Sequence, residues 1–558
     1  MTDSGAREPI GVTDSALIEV TTLGDLLVAA ARSWPDADAI VFPEDRRTYR
    51  ELLSAAVFRA RSLRAMGVSA GDHVGILMPN LIEFVEILFG IELIGAVAVP
   101  INARYKETEL GYVIENAEIE VLMTTDVIEE HVDFVDLLHR SVAGLSSAED
   151  PHQLRLAAAP RLRAVVVHGD SRPSGMVPWH EFESAADDVD ATEVEALRGR
   201  VAVRDVCIMM YTSGTTASPK GCPLTHEALV RSARAMARDR FQLTPADRFW
   251  DPLPMFHMSA ILPITAVIDT GGAFLSMTHV EPSAGIDLMI AEGATALFPS
   301  FPTLTAELVH HPRWSEVDVS LIRVVNNVAP PATLVEFQAA FPDAVQVSAY
   351  GLTEATGVVS FGELTDDLEA RTESCGRPFP GIEVRVVDPD TGAARSADER
   401  GELVIRGYCL FEGYYRDPQA TADAVDAYGW LHTGDVGSLD SFGRIRYHGR
   451  YKDMLKVGGE NVAAVEIESF LGDHPAVKLV QVVAADDEKY KEVPVAFVEL
   501  HDGATATADE LIGFCHDKIA AFKVPRHVRF VDEWPMSATK IQKFRLREMI
   551  AAELAARD

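Results

Sequence analysis

Cysteine is scarce in this chain. There are 5 in 558 residues, at Cys207, Cys222, Cys375, Cys409 and Cys515, and no two are spaced as C-x-x-C. A disulfide framework or a zinc site read from short spacings is therefore not expected, and a reducing compartment fits better. Positive charge is also short: 50 Lys and Arg stand against 85 Asp and Glu, so 50 − 85 gives −35. Such a field repels phosphate backbones and anionic bilayers at long range, which argues against general nucleic-acid binding. Any anionic ligand must be held by a local site. No long uninterrupted apolar run exists either. The longest, 81–101, contains Glu83, Glu86, Glu92 and Pro100, and those carboxylates would be strongly unfavourable in a bilayer core. Residues 1–11 lack a basic segment followed by an apolar one, so no secretory signal is read there. A cytoplasmic protein without stable membrane insertion is the expectation. There is no low-complexity tract and no repeat of about 20–50 residues.

What is present is ordinary globular composition, 47% hydrophobic and 24% charged, at a length that suggests about three or four domains. Short β-branched runs alternate with helical patterns, which predicts an α/β fold with mostly parallel sheets. Residues 73–78 read as a buried strand. Asn80 then reads as a helix N-cap with Glu83 as its capping-box partner, ahead of Leu81, Phe84, Ile87, Leu88 and Ile91 at helical spacing. Runs at 203–211 and 323–328 also read as strands. A glycine-rich, charged stretch spans 430–461. It suits either a pivot between domains or a surface hairpin. Beyond it, apolar runs at 479–484, 493–500 and 528–531 predict a small α+β domain.

Five local strings carry chemistry. The first, YTSGTTASPKG at 211–221, follows a strand-like run and offers Thr212, Ser213, Gly214, Thr215, Thr216 and Lys220. Glycines let backbone N–H groups approach an anion, hydroxyls donate, and lysine adds a point charge, so the string suits phosphate oxygens. Pro219 stands where a P-loop would need its second glycine, so this is a different loop. On composition alone it would be a solvated loop. The second, YGLTE at 350–354, places Tyr350, Gly351, Thr353 and Glu354 after a strand-like run. A carboxylate there can bind Mg²⁺ beside phosphates or simply start a helix. The third, GWLHTGD at 429–435, ends in Asp435, which suits two ribose hydroxyls or a turn. The fourth, GRYKDMLKVGGEN at 449–461, contains Arg450, Lys452, Gly458 and Gly459, and the fifth, PMSATKIQK at 535–543, contains Lys540 and Lys543.

In this order and spacing, the five strings resemble the adenylate-forming superfamily of acyl-CoA synthetases, peptide-synthetase adenylation domains and luciferases. The resemblance covers nearly the whole chain and is strongest to acyl-CoA ligases. It implies a large multi-subdomain N-terminal domain, 1–451, with mostly parallel sheets and a β-barrel-like part, and a small mobile C-terminal domain, 452–558. It implies ATP, Mg²⁺ and coenzyme A as cofactor and co-substrates. Residues 212–220 would enclose the β- and γ-phosphates, Thr353 would touch the α-phosphate, and Glu354 would bind the metal. Tyr350, Gly351, Asn327 and Ala329 would line the nucleotide, Asp435 would hold the ribose, and Arg450 would lie nearby. Lys540 would bridge the carboxylate and the α-phosphate. Lys452 falls at the hinge, and Gly458 and Gly459 would line a pantetheine tunnel. This chain departs from the family in two places: Thr539 replaces the glycine before the catalytic lysine, and Asn326-Asn327 replaces a small, glycine-rich adenine-side segment.

For the acid, the resemblance points to segments 258–262, 299–303, 326–328 and 356–359, with His257, Met258, Ser300, Phe301 and Asn326 in the acyl pocket. Amino-acid-activating relatives carry an aspartate where this chain has His257. A buried ammonium without a carboxylate is costly, so a hydrophobic acid is expected: fatty, alicyclic or aromatic. His257 and Phe256 fit either a gate to the acceptor tunnel or plain packing. Coenzyme A is the expected acceptor. The alternatives are a stand-alone enzyme loading a carrier protein, or a non-catalytic nucleotide-binding regulator. The oligomeric form is open, with a homodimer among the options.

Overall fold

The computed structural model describes residues 21–555 apart from 129, 213–218, 458–459, 488, 517 and 537–540. Two seven-stranded sheets organise the large domain. One runs edge to edge through Val345–Val347, Val324–Asn327, Ala296–Ser300, Arg248–Trp250, Ala273–Leu275 and Asp38–Val41, all parallel. It closes on the antiparallel Arg46–Thr48. The other runs through Val177–Pro178, Ala164–His168, Val121–Thr125, His73–Leu77, Val97–Pro100 and Val206–Thr212, again all parallel. It closes on the antiparallel Lys220–Thr225. The two sheets share one winding: from Arg248–Trp250, and equally from His73–Leu77, the next strand lies on one side and the following three on the other. A topological duplication is thus present at a period far longer than about 50 residues.

Parallel strands covered on both faces alternate their apolar side chains between two cores. Val121 and Met123 face the central core, while Leu122 faces an outer one. The central layer consists of helices Leu23–Ser33, Tyr49–Ala65, Ile82–Leu93, His226–Arg234 and Met258–Thr270. Helices Glu107–Asn116 and Phe134–Ser141 cover one sheet, and Pro282–Glu292 and Pro302–Val309 cover the other.

The apolar run at 81–101 is explained by this layering. Every residue of Ile82–Leu93 except Glu83 is buried, as a helix that is apolar all round must be. Its Glu86 accepts from Arg59 Nη2 and Arg47 Nε, both at 2.9 Å. Among the described residues no helix is long and apolar enough to cross a membrane. The N-cap expected at Asn80 is not formed. Leu81 is the capping residue and makes no side-chain cap bond. Asn80 is 5% exposed; its Nδ2 donates to Leu253 O at 2.9 Å, and its Oδ1 accepts from Met255 N at 2.8 Å. A buried amide with backbone partners across the sheet boundary outcompetes a local cap.

The part expected to be barrel-like comprises a three-stranded antiparallel sheet, Ala349–Tyr350, Ser360–Phe361 and Arg377–Pro378, and a four-stranded one, Ile382–Val387, Gly401–Gly407, Leu431–Leu439 and Ile445–Arg450. Most of the glycine-rich stretch is therefore the last hairpin of that sheet, and the turn Tyr451–Asp453 follows it. The small domain then builds its own sheet from Met454–Val457, Glu460–Ala463, Val477–Asp487, Lys491–Leu500 and His527–Phe530, with separate cores. Arg400 and Glu466 pair across the two domains at 2.8 Å, with Arg400 about half exposed. Such a pair contributes little to holding the domains together.

Candidate active site

Strands Val206–Thr212 and Lys220–Thr225 pair antiparallel, with Thr212 opposite Lys220. The hydroxyl-rich loop between them therefore leaves and returns at the carboxyl end of the parallel strands, where α/β sheets bind ligands. Ser213, Gly214, Thr215 and Thr216 lie outside the described residues. Lys220 Nζ sits 4.7 Å from the centre of the Tyr414 ring, and Tyr414 Oη donates to Glu354 Oε1 at 2.8 Å. Tyr414 is held against the hairpin by its neighbours: Tyr415 N donates to Gly221 O at 2.8 Å and Glu412 N to Pro223 O at 3.0 Å. Burial, with the Glu354 charge beside it, pushes the Tyr414 phenol up, so it remains a donor. Sequence reasoning missed Tyr414. Two tyrosines after a glycine carry no local signature of a carboxylate partner 60 residues away.

Glu354 lies in the 3₁₀ turn Thr353–Ala355 rather than at a helix start. Its carbonyl accepts from Phe411 N at 2.9 Å, and Thr356 Oγ1 donates to Cys409 O at 2.6 Å. Both bonds fix the turn to the 409–415 segment. Gly351 is obligatory here, because a Cβ on it would stand 2.2 Å from Gly357 O. The loop folds back on itself at that contact.

Asp435 lies within strand Leu431–Leu439, not in a turn, and is 2% exposed. Its register partner is Arg450. Arg450 Nε donates to Oδ1 at 3.0 Å, and Tyr350 Oη donates to Oδ2 at 2.8 Å. Burial and the Asp435 charge push the Tyr350 phenol up, keeping it protonated against a carboxylate. A carboxylate has about four lone-pair sites, so it can accept from several donors at once. The five residues 350–354 therefore join two separate clusters, Lys220–Tyr414–Glu354 and Arg450–Asp435–Tyr350.

The expected acyl-pocket residues gather at the carboxyl ends of the other large sheet. His257 caps helix Met258–Thr270. Met258 is 5% exposed and packs on the 350–357 loop, since a Cβ on Gly357 would lie 2.7 Å from Met258 Cβ. Ser300 ends its strand with φ +57° and pairs with Asn327. Asn326 Nδ2 donates to Ser300 Oγ at 2.7 Å, and Phe301 caps helix Pro302–Val309. The Asn327 side chain is directed into the core, donating to Gln346 Oε1 at 2.8 Å and accepting from Thr305 Oγ1. Ala329 is half-buried in the following loop.

On the small-domain side, Lys540, Gly458 and Gly459 lie outside the described residues. Lys452 lies in the turn Tyr451–Asp453, whose Asp453 accepts from Arg547 Nη2 at 2.6 Å. Lys543 Nζ is paired with Glu468 Oε1 at 2.5 Å, so that lysine serves the packing of the small domain.

Two family models match the chain, the AMP-binding enzyme over residues 27–415 and the AMP-binding enzyme C-terminal domain over residues 466–540. YngI of Bacillus subtilis (strain 168), an acyl-CoA synthetase by name, is 36% identical over 535 residues, 95% of this chain and 97% of its own. The methyl-dioxo-octahydro-indenyl propanoyl:CoA ligase of Mycobacterium tuberculosis (strain ATCC 25618 / H37Rv) is 33% identical over 538 residues, 95% of this chain and 99% of its own. The crystal structure of the anthranilate CoA ligase AuaEII in complex with anthranoyl-AMP aligns with a TM-score of 0.83 and 27% identity, over 97% of this chain and 98% of that one. Family models laid over both domains, and relatives matched along almost their entire length, show the family: this chain belongs to the AMP-binding enzymes, the adenylate-forming superfamily.

Proposed function

We propose that the chain is an ATP- and Mg²⁺-dependent, AMP-forming acid–thiol ligase that joins a hydrophobic carboxylic acid to coenzyme A in the cytoplasm. The observation that carries this reading is the pair of clusters joined by residues 350–354. One side offers a cation and a metal-type carboxylate beside a hydroxyl-rich hairpin, and the other a buried carboxylate held between Tyr350 and Arg450, the acceptor type that suits ribose hydroxyls. Relatives named for an alicyclic and an aromatic acid support the substrate class, as do the neutral side chains Met258, Ser300, Phe301 and Asn326.

The chemistry has two steps. A carboxylate oxygen attacks the α-phosphorus of ATP, the bond to the β-phosphate oxygen breaks, and pyrophosphate leaves. The thiol of coenzyme A then attacks the acyl carbon, the acyl–oxygen bond breaks, AMP leaves, and the thiol proton passes to solvent. The first step brings like charges together, so catalysis is positioning plus supplied positive charge. Residues 212–220 would hold the outer phosphates, with Lys220 braced on the Tyr414 ring. Thr353 would meet the α-phosphate, Asp435 and Arg450 the ribose, and Lys540 the reacting oxygens. Glu354 suits Mg²⁺, because this ion takes one or two carboxylates and completes its shell with phosphate oxygens and water. Bound there, it would neutralise phosphate charge. The chain divides for this purpose at 451/452, with Gly458 and Gly459 on the acceptor side.

Protein supplied with ATP, Mg²⁺, coenzyme A and a panel of fatty, alicyclic and aromatic acids should release AMP and form a thioester with at least one. Failure on all of them refutes the proposal. Tyr414→Phe removes the hydroxyl that orients Glu354. Hydrogen bonds to charged groups contribute about 1.5–3 kcal/mol, so the Mg²⁺ concentration for half-maximal rate should rise about tenfold. An unchanged Mg²⁺ dependence removes the orienting role. Lys452→Pro fixes φ in the interdomain turn. It should leave acyl-adenylate formation intact and lower thioester formation about 10²-fold, the scale of a misplaced reacting group. Undiminished thioester formation rejects Lys452 as the hinge.

A further inference from the structure

Deep in the central layer, away from both clusters, three metal-ligating side chains meet. Glu92 comes from the last turn of helix Ile82–Leu93, Cys207 from strand Val206–Thr212, and His226 from the first position of helix His226–Arg234. Their exposures are 0%, 0% and 1%, and one ligand atom from each lies within 4.8 Å of the other two. Nothing in the chemistry proposed above uses them.

Glu92 is the anomaly. Among the described residues, both of its carboxylate oxygens are buried without a hydrogen-bond partner, where native proteins almost always supply one. It also sits at the carboxyl end of a helix, where the backbone carbonyls disfavour a second negative group and favour a cation. Its Oε2 lies 3.7 Å from His226 Nδ1. That nitrogen accepts from Leu23 N at 3.2 Å, so it already carries a lone pair rather than a proton. The Cys207 thiol makes one long contact, donating to Leu224 O at 3.4 Å.

We propose that Glu92, Cys207 and His226 form a structural Zn²⁺ site. A sulfur, an imidazole nitrogen and a carboxylate oxygen are the donor types that tetrahedral zinc accepts. Ordinary zinc bond lengths place such ligand atoms roughly 3.3–3.6 Å apart, close to the 3.7 Å already present between Glu92 and His226. Binding forms three bonds to side chains, and a water molecule takes the fourth tetrahedral position. The Cys207 proton, and the Glu92 proton where that acid is protonated, go to solvent, and the metal takes the place of the Leu23 N–H on Nδ1. One thiolate and one carboxylate then cancel the charge of the ion, leaving a neutral site in an apolar core. The ion would tie two helices of the central layer to the strand that runs into the hydroxyl-rich loop. Short spacings could not reveal it, because 92, 207 and 226 are separated by 115 and 19 positions.

The test uses the full chain expressed in zinc- or cobalt-supplemented medium and dialysed against a weak chelator. Zinc should be retained at about one ion per chain. The cobalt form should show a near-ultraviolet thiolate-to-metal absorption band that Cys515→Ser keeps and Cys207→Ser loses, and Glu92→Gln should lower the retained zinc at least tenfold. Wild-type protein that retains no stoichiometric metal and shows no band overturns the proposal, whatever the variants do. So does a band that survives Cys207→Ser, or zinc content unchanged in a folded Glu92→Gln.

Discussion

Lys540→Ala is expected to lower acyl-adenylate formation by about 10²–10³-fold, the loss typical of removing one donor from a developing anion. Conversion of supplied acyl-adenylate and coenzyme A to thioester should stay within about threefold of wild type. The asymmetry follows from charge. The first half-reaction drives a carboxylate onto a polyphosphate, and the transferring phosphoryl oxygens gain negative charge at its summit. The second attacks a neutral acyl carbon and places one new charge on the departing AMP oxygen, with no polyphosphate driven onto a carboxylate. A cation bridging carboxylate and α-phosphate thus matters far more to the first barrier than to the second. Lys543 provides the control: its ammonium is paired with Glu468 at 2.5 Å inside the small domain. Lys543→Ala should leave both half-reactions nearly unchanged and lower the melting temperature instead. Equal loss of both half-reactions in Lys540→Ala, measured by pyrophosphate release and by thioester formation, would rule out the assigned role. A large adenylation defect in a folded Lys543→Ala would transfer that role to Lys543.

Asp435→Asn should raise the KM for ATP about 10²-fold, the loss expected from hydrogen bonds to a charged acceptor at about 1.5–3 kcal/mol each. The kcat at saturating ATP should change much less. Asn keeps the shape of Asp435 but replaces one acceptor oxygen with a donor. Tyr350 and Arg450 are both donors and point at this carboxylate from 2.8 and 3.0 Å. The amide cannot satisfy both, and an amide has fewer acceptor sites to offer ribose hydroxyls than a carboxylate. Some destabilisation should accompany the change, because two part-buried donors lose a charged partner. The split between KM and kcat separates the two contributions, since a purely structural role would reduce the amount of active protein without moving KM. A folded Asp435→Asn enzyme with KM for ATP within twofold of wild type would sink the ribose assignment.

Much of the site was legible in the sequence because its parts are short strings in which chemistry and backbone demands coincide. Gly351 precedes the Thr353–Glu354 turn because that loop folds back to within a Cβ's reach of Gly357. The hydroxyl-rich string follows Val206–Thr212 because a strand of apolar, β-branched and aromatic residues ends in a hairpin mouth. Asn80 departs from its N-cap pattern because that local pattern competes with distant backbone partners, and burial decides between them. Asp435 reads as a turn residue beside Gly434 but occupies a strand, held there by a register partner 15 positions on.

Residue order by itself determined the α/β class, the separate small domain and which short strings are candidates for the phosphate, metal and ribose contacts. Each of these rests on periodicity or on contiguous strings, which a linear reading samples directly. Only the tertiary structure decided that Tyr414 braces both Lys220 and Glu354, that one winding of strands is used twice, and that Glu92, Cys207 and His226 meet as a buried cluster. Those features depend on which face of an element meets which neighbour. That is set by packing of the whole core, in which apolar burial has no direction of its own and only the closed fold brings particular side chains together.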